Sequence, residues 1–272
     1  VDFVASVGAL LCLRCPLQTN RCAPSAADHP QRRTPDASLV DALVDHPMSQ
    51  GVVFLLDVDN TPLDNDAIIA DLHAHLLHAF GEHSARYWVH FESMRQALGY
   101  ADYLGALQRY RADVEAAYGS AGCLLAVSEF LIEYPFARQL YPQALEVLAA
   151  LGRIAPTVIV SDGDVVFQPR KVLRSGLWNA VDGRVMIFVH KEARLDAVQR
   201  EHPARHYVMV DDKLRLLHAM KQVMGNTLTT VFVRQGHYAL DPANAGRYSE
   251  PDLVVERIGD LLSLDLNALG HP

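Results

Sequence analysis

Four carboxylates fall within ten positions of the stretch FLLDVDNTPLDND, at Asp57, Asp59, Asp64 and Asp66, directly behind an apolar run. Three later apolar runs end in a similar way. TVIV is followed by Ser161, Asp162 and Gly163, RVMIFVH by Lys191, and HYVMV by Asp211 and Asp212. A carboxylate can act as a nucleophile or exchange protons. Crowded at a partly buried edge, carboxylates repel one another and favour their protonated forms. Positive charge must then hold them ionised. A hard cation does so, and Mg2+ characteristically takes one or two carboxylates together with phosphate and water. Lys191 adds a fixed positive charge, and backbone N–H groups after Ser161 offer further donors to a phosphate dianion. One acid at the end of a run would signify little, because Asp is common in turns and helix caps. Four such runs signify more.

The elements that must bring these groups together are legible in the hydrophobic pattern. Residues 51–57, 157–162, 184–190, 206–212 and 228–233 are Val- and Ile-rich runs bounded by polar residues or Gly, as expected of strands buried on both faces. Segments 141–152 and 214–225 carry apolar residues at helical spacing and end in Gly. Strand alternating with helix predicts an α/β fold built on a Rossmann-like, doubly wound parallel sheet. In such sheets ligands bind beyond the carboxyl ends of the strands, where all four polar groups fall. One interval breaks the rhythm. Asp57 and Ser161 are 104 positions apart, and about 70 residues of that interval read as an all-helical insertion after the first strand. The expected organisation is a core of 48–66 and 139–272 with a helical cap of 67–138. Residues 1–47, with prolines at 16, 24, 30, 35 and 47 and no sustained period, read as a disordered extension, or as upstream sequence read through, ahead of Met48.

The succession DVDNT, VIVSDG, Lys191 and VMVDD resembles the haloacid dehalogenase-like hydrolase superfamily. Its motifs are DxDx[TV] after a strand, a strand ending in Ser or Thr, a Lys and an acidic pair. The spacing of 30 positions from Ser161 to Lys191 and 20 from Lys191 to Asp211 fits. The inserted helices resemble that family's C1 cap. The resemblance implies a Mg2+-dependent phosphatase acting on a small phosphorylated metabolite. Asp57 would be the nucleophile that forms an aspartyl-phosphate, and Asp59 the general acid and base. Ser161, Asp162, Gly163 and Lys191 would contact the phosphoryl group. Asp57, the Asp59 carbonyl, Asp212 and, directly or through water, Asp211 would hold Mg2+. Thr61 would support the turn. A phosphosugar mutase of the same fold and a non-catalytic phosphate-binding module are the alternatives. A response-regulator receiver domain is disfavoured, because there the acidic pair comes first and the lysine last. Halide release is disfavoured because that chemistry does without the second aspartate.

Some positions depart from the pattern. Glu192 and Leu216 replace residues many relatives carry, and Asp162 stands where Asn is usual. The chain has only four lysines, at 171, 191, 213 and 221. Lys171 is a second candidate for the lysine role, but it is expected mid-helix and so less able than Lys191 to reach the site. Asp64 and Asp66 are expected to cap or solvate the first cap helix. His73, His75 and His78 have spacings that do not stack imidazoles on one helix face. His237 and Arg234 read as a solvated loop, and the aromatics of YWVHFE as cap core. Half of the 272 residues are apolar, enough for one sizeable core and an accessory subdomain. The net charge of −8 argues against nucleic acid and anionic membranes as partners. No apolar run reaches the roughly 18 residues that suggest a spanning helix. CLRC (12–15) lacks a second pair for zinc, and the solitary Cys123 suits a reduced, cytoplasmic setting.

Overall fold

A computed structural model describes residues 50–118, 121–244 and 246–270. The expectations for 1–47, including the CLRC pair, lie outside the described residues. The strands are β1 (Gln50–Leu56), β2 (Thr157–Asp162), β3 (Val185–Phe188), β4 (Ala204–Asp211), β5 (Leu228–Val233) and β6 (Leu253–Val255). The first four helices after β1 are α1 (Asn65–Phe80), α2 (Ser84–Leu98), α3 (Tyr103–Tyr118) and α4 (Ala121–Glu133). The remaining helices are α5 (Ala144–Ile154), α6 (Phe167–Arg174), α7 (Leu177–Ala180), α8 (Leu195–Glu201), α9 (Leu214–Met224) and α10 (Gly236–Ala239).

All six strands are parallel, in the order β3-β2-β1-β4-β5-β6. The order reverses at β1, so the carboxyl end of β1 is the topological switch point. The reason for a doubly wound sheet lies in alternation with both faces apolar. Phe54, Leu56, Ile159, Val208, Val210 and Val231 face one core, and Val53, Leu55, Val158, Val160 and Met209 face the other. Register brings the site groups level. Leu56 pairs with Val210 on one side and Ile159 on the other. One step further, Asp57 lies beside Asp211, and its N–H donates to the Val210 carbonyl at 3.0 Å.

The first core continues into the helices between β1 and β2. Helix α1 buries Ile68, Leu72, Leu76 and Phe80, one residue per turn on a single face. These pack with Tyr87, Tyr110 and Leu131 from the next three helices. His73 stacks on Trp88 and His75 lies tilted against Phe130, so these imidazoles pack against the aromatics of the inserted helices. One helix start and one strand differ most from the sequence reading. Helix α5 begins at Ala144 because Gln143 takes a left-handed φ of 64°. β6 was not anticipated, since three residues are too few to show a period. No helix among the described residues is long and apolar enough to cross a membrane.

Candidate active site

The chain turns sharply after β1. Asn60 has φ 58°, a left-handed conformation that Asn tolerates, and its side-chain oxygen accepts from the N–H groups of Asn65 and Asp66. Gly236 presses on this turn: a Cβ there would meet Asn60 Cβ at 2.4 Å, and its own φ is 77°. The turn thus launches α1 directly from the strand that carries Asp57. Asp64 caps α1 by accepting from Ala67 N–H at 2.9 Å. Asp66 does something else. It accepts from Asn60 and from both the backbone and the ring of His237, tying α1 to α10. His237 is therefore engaged, where a solvated loop was expected; Arg234 pairs with the exposed Glu256.

Lys191 is fully buried at the centre of the site. Its Nζ lies 2.5 Å from Asp57 Oδ1, 2.7 Å from Asp211 Oδ2 and 3.2 Å from the Val160 carbonyl. Burial works against its charge, but Asp211 and Asp57 outweigh that and keep the ammonium protonated. Burial likewise opposes ionisation of Asp57, yet Lys191 and Lys213 hold its pKa below the ordinary value. Ser161 Oγ donates to Asp57 Oδ1 at 3.3 Å and accepts from Gln168 at 2.9 Å.

Asp57, Asp211 and Asp212 offer oxygens that all lie within 4.8 Å of one another. Asp57 Oδ2 and both oxygens of Asp212 are buried and accept no hydrogen bond among the described residues. Burial and the neighbouring carboxylates raise the Asp212 pKa well above normal despite Lys213, whose Nζ stands 3.9 Å away. Such orphaned acceptors are costly unless something positive fills the gap. An all-oxygen set of this kind fits a hard divalent cation. Asp211 differs from Asp212: one oxygen accepts from Lys213 N–H at 2.8 Å and the other faces Lys191.

The Asp59 carboxylate stands outside the acidic triad, on Lys171 Nζ at 2.8 and 3.0 Å. Three expectations need correction. Lys171 does reach the site after all: α6 begins so soon after β2 that its side chain, 1% exposed, returns under the β1 turn. Gly163 does not offer a free donor, because β3 still pairs there and its N–H bonds the Phe188 carbonyl at 2.9 Å. Asp162 faces Lys191 rather than an open anion site, accepting from the Lys191 N–H at 2.6 Å; burial pushes its pKa up to about 6. Gln168 and Lys213 were not singled out from sequence. Gln168 and Lys171 are three apart on α6, one face of one turn, and Lys213 directly follows the acidic pair; those spacings were the available signals.

The arrangement supplies an ionised, lysine-paired carboxylate, a cation-ready oxygen cluster beside it and a separate carboxylate able to exchange protons. A cavity lined by Val52, Phe54, Ala155 and Leu266 opens near the opposite end of β1 and has no titratable side chain.

No family model and no curated protein matches the chain. Solved structures do. A haloacid dehalogenase-like hydrolase from Burkholderia xenovorans LB400 is 58% identical, over 79% of this chain and 97% of that one, with a TM-score of 0.74. A magnesium-bound HAD-hydrolase from Bacillus subtilis is 18% identical, over 79% and 98%, with a TM-score of 0.53. L-2-haloacid dehalogenase from Xanthobacter autotrophicus is 19% identical, over 80% and 98%, with a TM-score of 0.51. The last two likenesses speak to fold alone. The first, with its high identity over nearly the whole of that chain, establishes that this protein belongs to the haloacid dehalogenase-like hydrolases.

Proposed function

We propose that this hydrolase is a Mg2+-dependent phosphomonoesterase that acts on a small phosphorylated metabolite through an aspartyl-phosphate on Asp57. One observation carries the reading: Asp57 is held ionised by Lys191 beside orphaned oxygens of Asp212, while Asp59 stands apart with its carboxylate 21% exposed. In the first step a carboxylate oxygen of Asp57 bonds to phosphorus, the ester P–O bond breaks, and the leaving oxygen takes a proton from Asp59. In the second, water bonds to phosphorus, Asp59 takes a proton from it, and the P–O bond to Asp57 breaks. Inorganic phosphate leaves and both carboxylates are restored. Lys191 and Ser161 neutralise and orient the transferring group. Asp57 and Asp212 would hold Mg2+, with Asp211 orienting the pair through Lys191. Bound there, the cation supplies positive charge against the phosphoryl oxygens. A fold neighbour, the Bacillus subtilis HAD-hydrolase, is itself bound to magnesium.

The dehalogenase relatives supply the competing reading. A halide departs as a stable anion and needs no proton. The lysine-anchored Asp59 has no task in that reaction, and the buried oxygen cluster no cation to hold. The test is a screen of purified protein against phosphomonoesters and 2-chloropropionate, with Mg2+ or EDTA. Phosphate release that requires Mg2+ is expected, and Asp57→Asn should lower it by about 10^4-fold, the scale of removing a catalytic group. Halide release without phosphate release, or turnover undiminished in EDTA, would refute the proposal. A phosphate moved within the substrate with no release would indicate the mutase variant.

A further inference from the structure

Lys171 is among the largest side chains completely withdrawn from solvent, yet it contacts none of the acidic triad described above. Its three N–H bonds are all accounted for: Asp59 Oδ1 at 2.8 Å, Asp59 Oδ2 at 3.0 Å and Asn65 Oδ1 at 2.7 Å. No donor is left for a substrate. The aromatic faces of Phe167 and Tyr103 lie 4.8 and 5.9 Å from Nζ, closing the remaining sides. The lysine thus stands behind the acid. Its side chain is 1% exposed, whereas that of Asp59 is 21% exposed.

Stability alone does not explain a charge at this position. A buried ion pair is often no better for the fold than well-packed apolar residues of the same volume. Gripping both oxygens of Asp59, however, fixes the rotamer of that carboxylate, which an apolar residue could not do. Asn65, the third partner, is the first residue of α1, and its own N–H is bonded to Asn60 in the turn after β1. The grip therefore joins the acid to α6 and to the helix that leads into the inserted segment. We infer that Lys171 is a positioning residue that holds Asp59 for proton transfer to the leaving group, with Asn65 coupling that placement to the start of α1. This rests on the phosphatase reading above.

The test compares two substrates. p-Nitrophenyl phosphate loses a phenolate that needs no proton; β-glycerophosphate loses an alkoxide that does. Lys171→Met should lower kcat on β-glycerophosphate by about 10^2-fold or more, the scale of general acid catalysis. kcat on p-nitrophenyl phosphate should fall far less, and KM for both should change little. Asn65→Ala should show the same bias at smaller size, and it decides the matter should Lys171→Met fail to fold. Equal losses on both substrates, or a rise in KM alone, would overturn the inference and leave the phosphatase intact. A wild type that releases phosphate from neither substrate would instead remove the phosphatase reading and the inference with it.

Discussion

Asp212 carries the least compensated charge among the site carboxylates. Both of its oxygens are buried without a donor, and its nearest cation, Lys213, is 3.9 Å away. The side chain is suited to a cation and strained without one. Asp212→Asn removes the repulsion from Asp57 and Asp211. It should therefore raise the stability of metal-free protein at pH 8 by about 1–3 kcal/mol, the usual cost of an unsatisfied buried polar group. The same change should abolish stabilisation by Mg2+. Urea unfolding in EDTA and in Mg2+ reads both effects; a variant no more stable than wild type in EDTA would contradict this account. Lys191 is the opposite case. Lys191→Met leaves Asp57 and Asp211 buried without their shared counter-ion and should cost about 3–5 kcal/mol on the same assay.

Helix α6 is the element that delivers most to the site for its size. Asp164 starts it, accepting from the N–H groups of Val166 and Phe167 at 2.8 and 2.6 Å. One turn later Gln168 reaches Ser161 and Lys171 reaches Asp59. The close approach of β2 to this helix requires Gly163, where a Cβ would lie 2.5 Å from Gln168 Cβ. Gly163→Ala should push α6 outward, cost about 1–3 kcal/mol as overpacking does, and lower kcat. Gly152 makes the contrast. It sits inside α5 with nothing within 4 Å of its would-be Cβ. Gly152→Ala should stabilise the protein by roughly 0.5–1 kcal/mol and leave activity unchanged. Thermal melts and initial rates of the two variants, side by side, check the pair.

At the scale of the molecule, a chain of net charge −8 places three of its four lysines, 171, 191 and 213, around one group of carboxylates. The fourth, Lys221, pairs with Asp252 and the Leu228 carbonyl away from the site. Even so, burial leaves Asp211 and Asp212 with raised pKa values. Folded, metal-free protein therefore binds more protons than unfolded chain above the ordinary carboxylate range. Its stability should fall as pH rises through that window. A bound cation favours the ionised forms and offsets the loss, releasing protons as it binds. The increase in Tm on adding Mg2+ should accordingly be larger at pH 8 than at pH 5.5. An increase independent of pH would show that these carboxylates do not hold the metal.

The sequence by itself determined the class of fold, the stretch between β1 and β2 that runs as helices, and the edge at which the polar residues gather. These follow from local pattern: apolar runs of strand length, helical spacing between them, and charge confined to the residue after each run. Only the tertiary structure decided the partnerships. Asp57 meets Lys191 across 134 positions and Asp59 meets Lys171 across 112. Which lysine serves which acid depends on strand register and on how α6 tilts back beneath the β1 turn, and no local pattern encodes that. The same holds for the N–H of Gly163, spent on the Phe188 carbonyl because of the register in which β3 lies alongside β2.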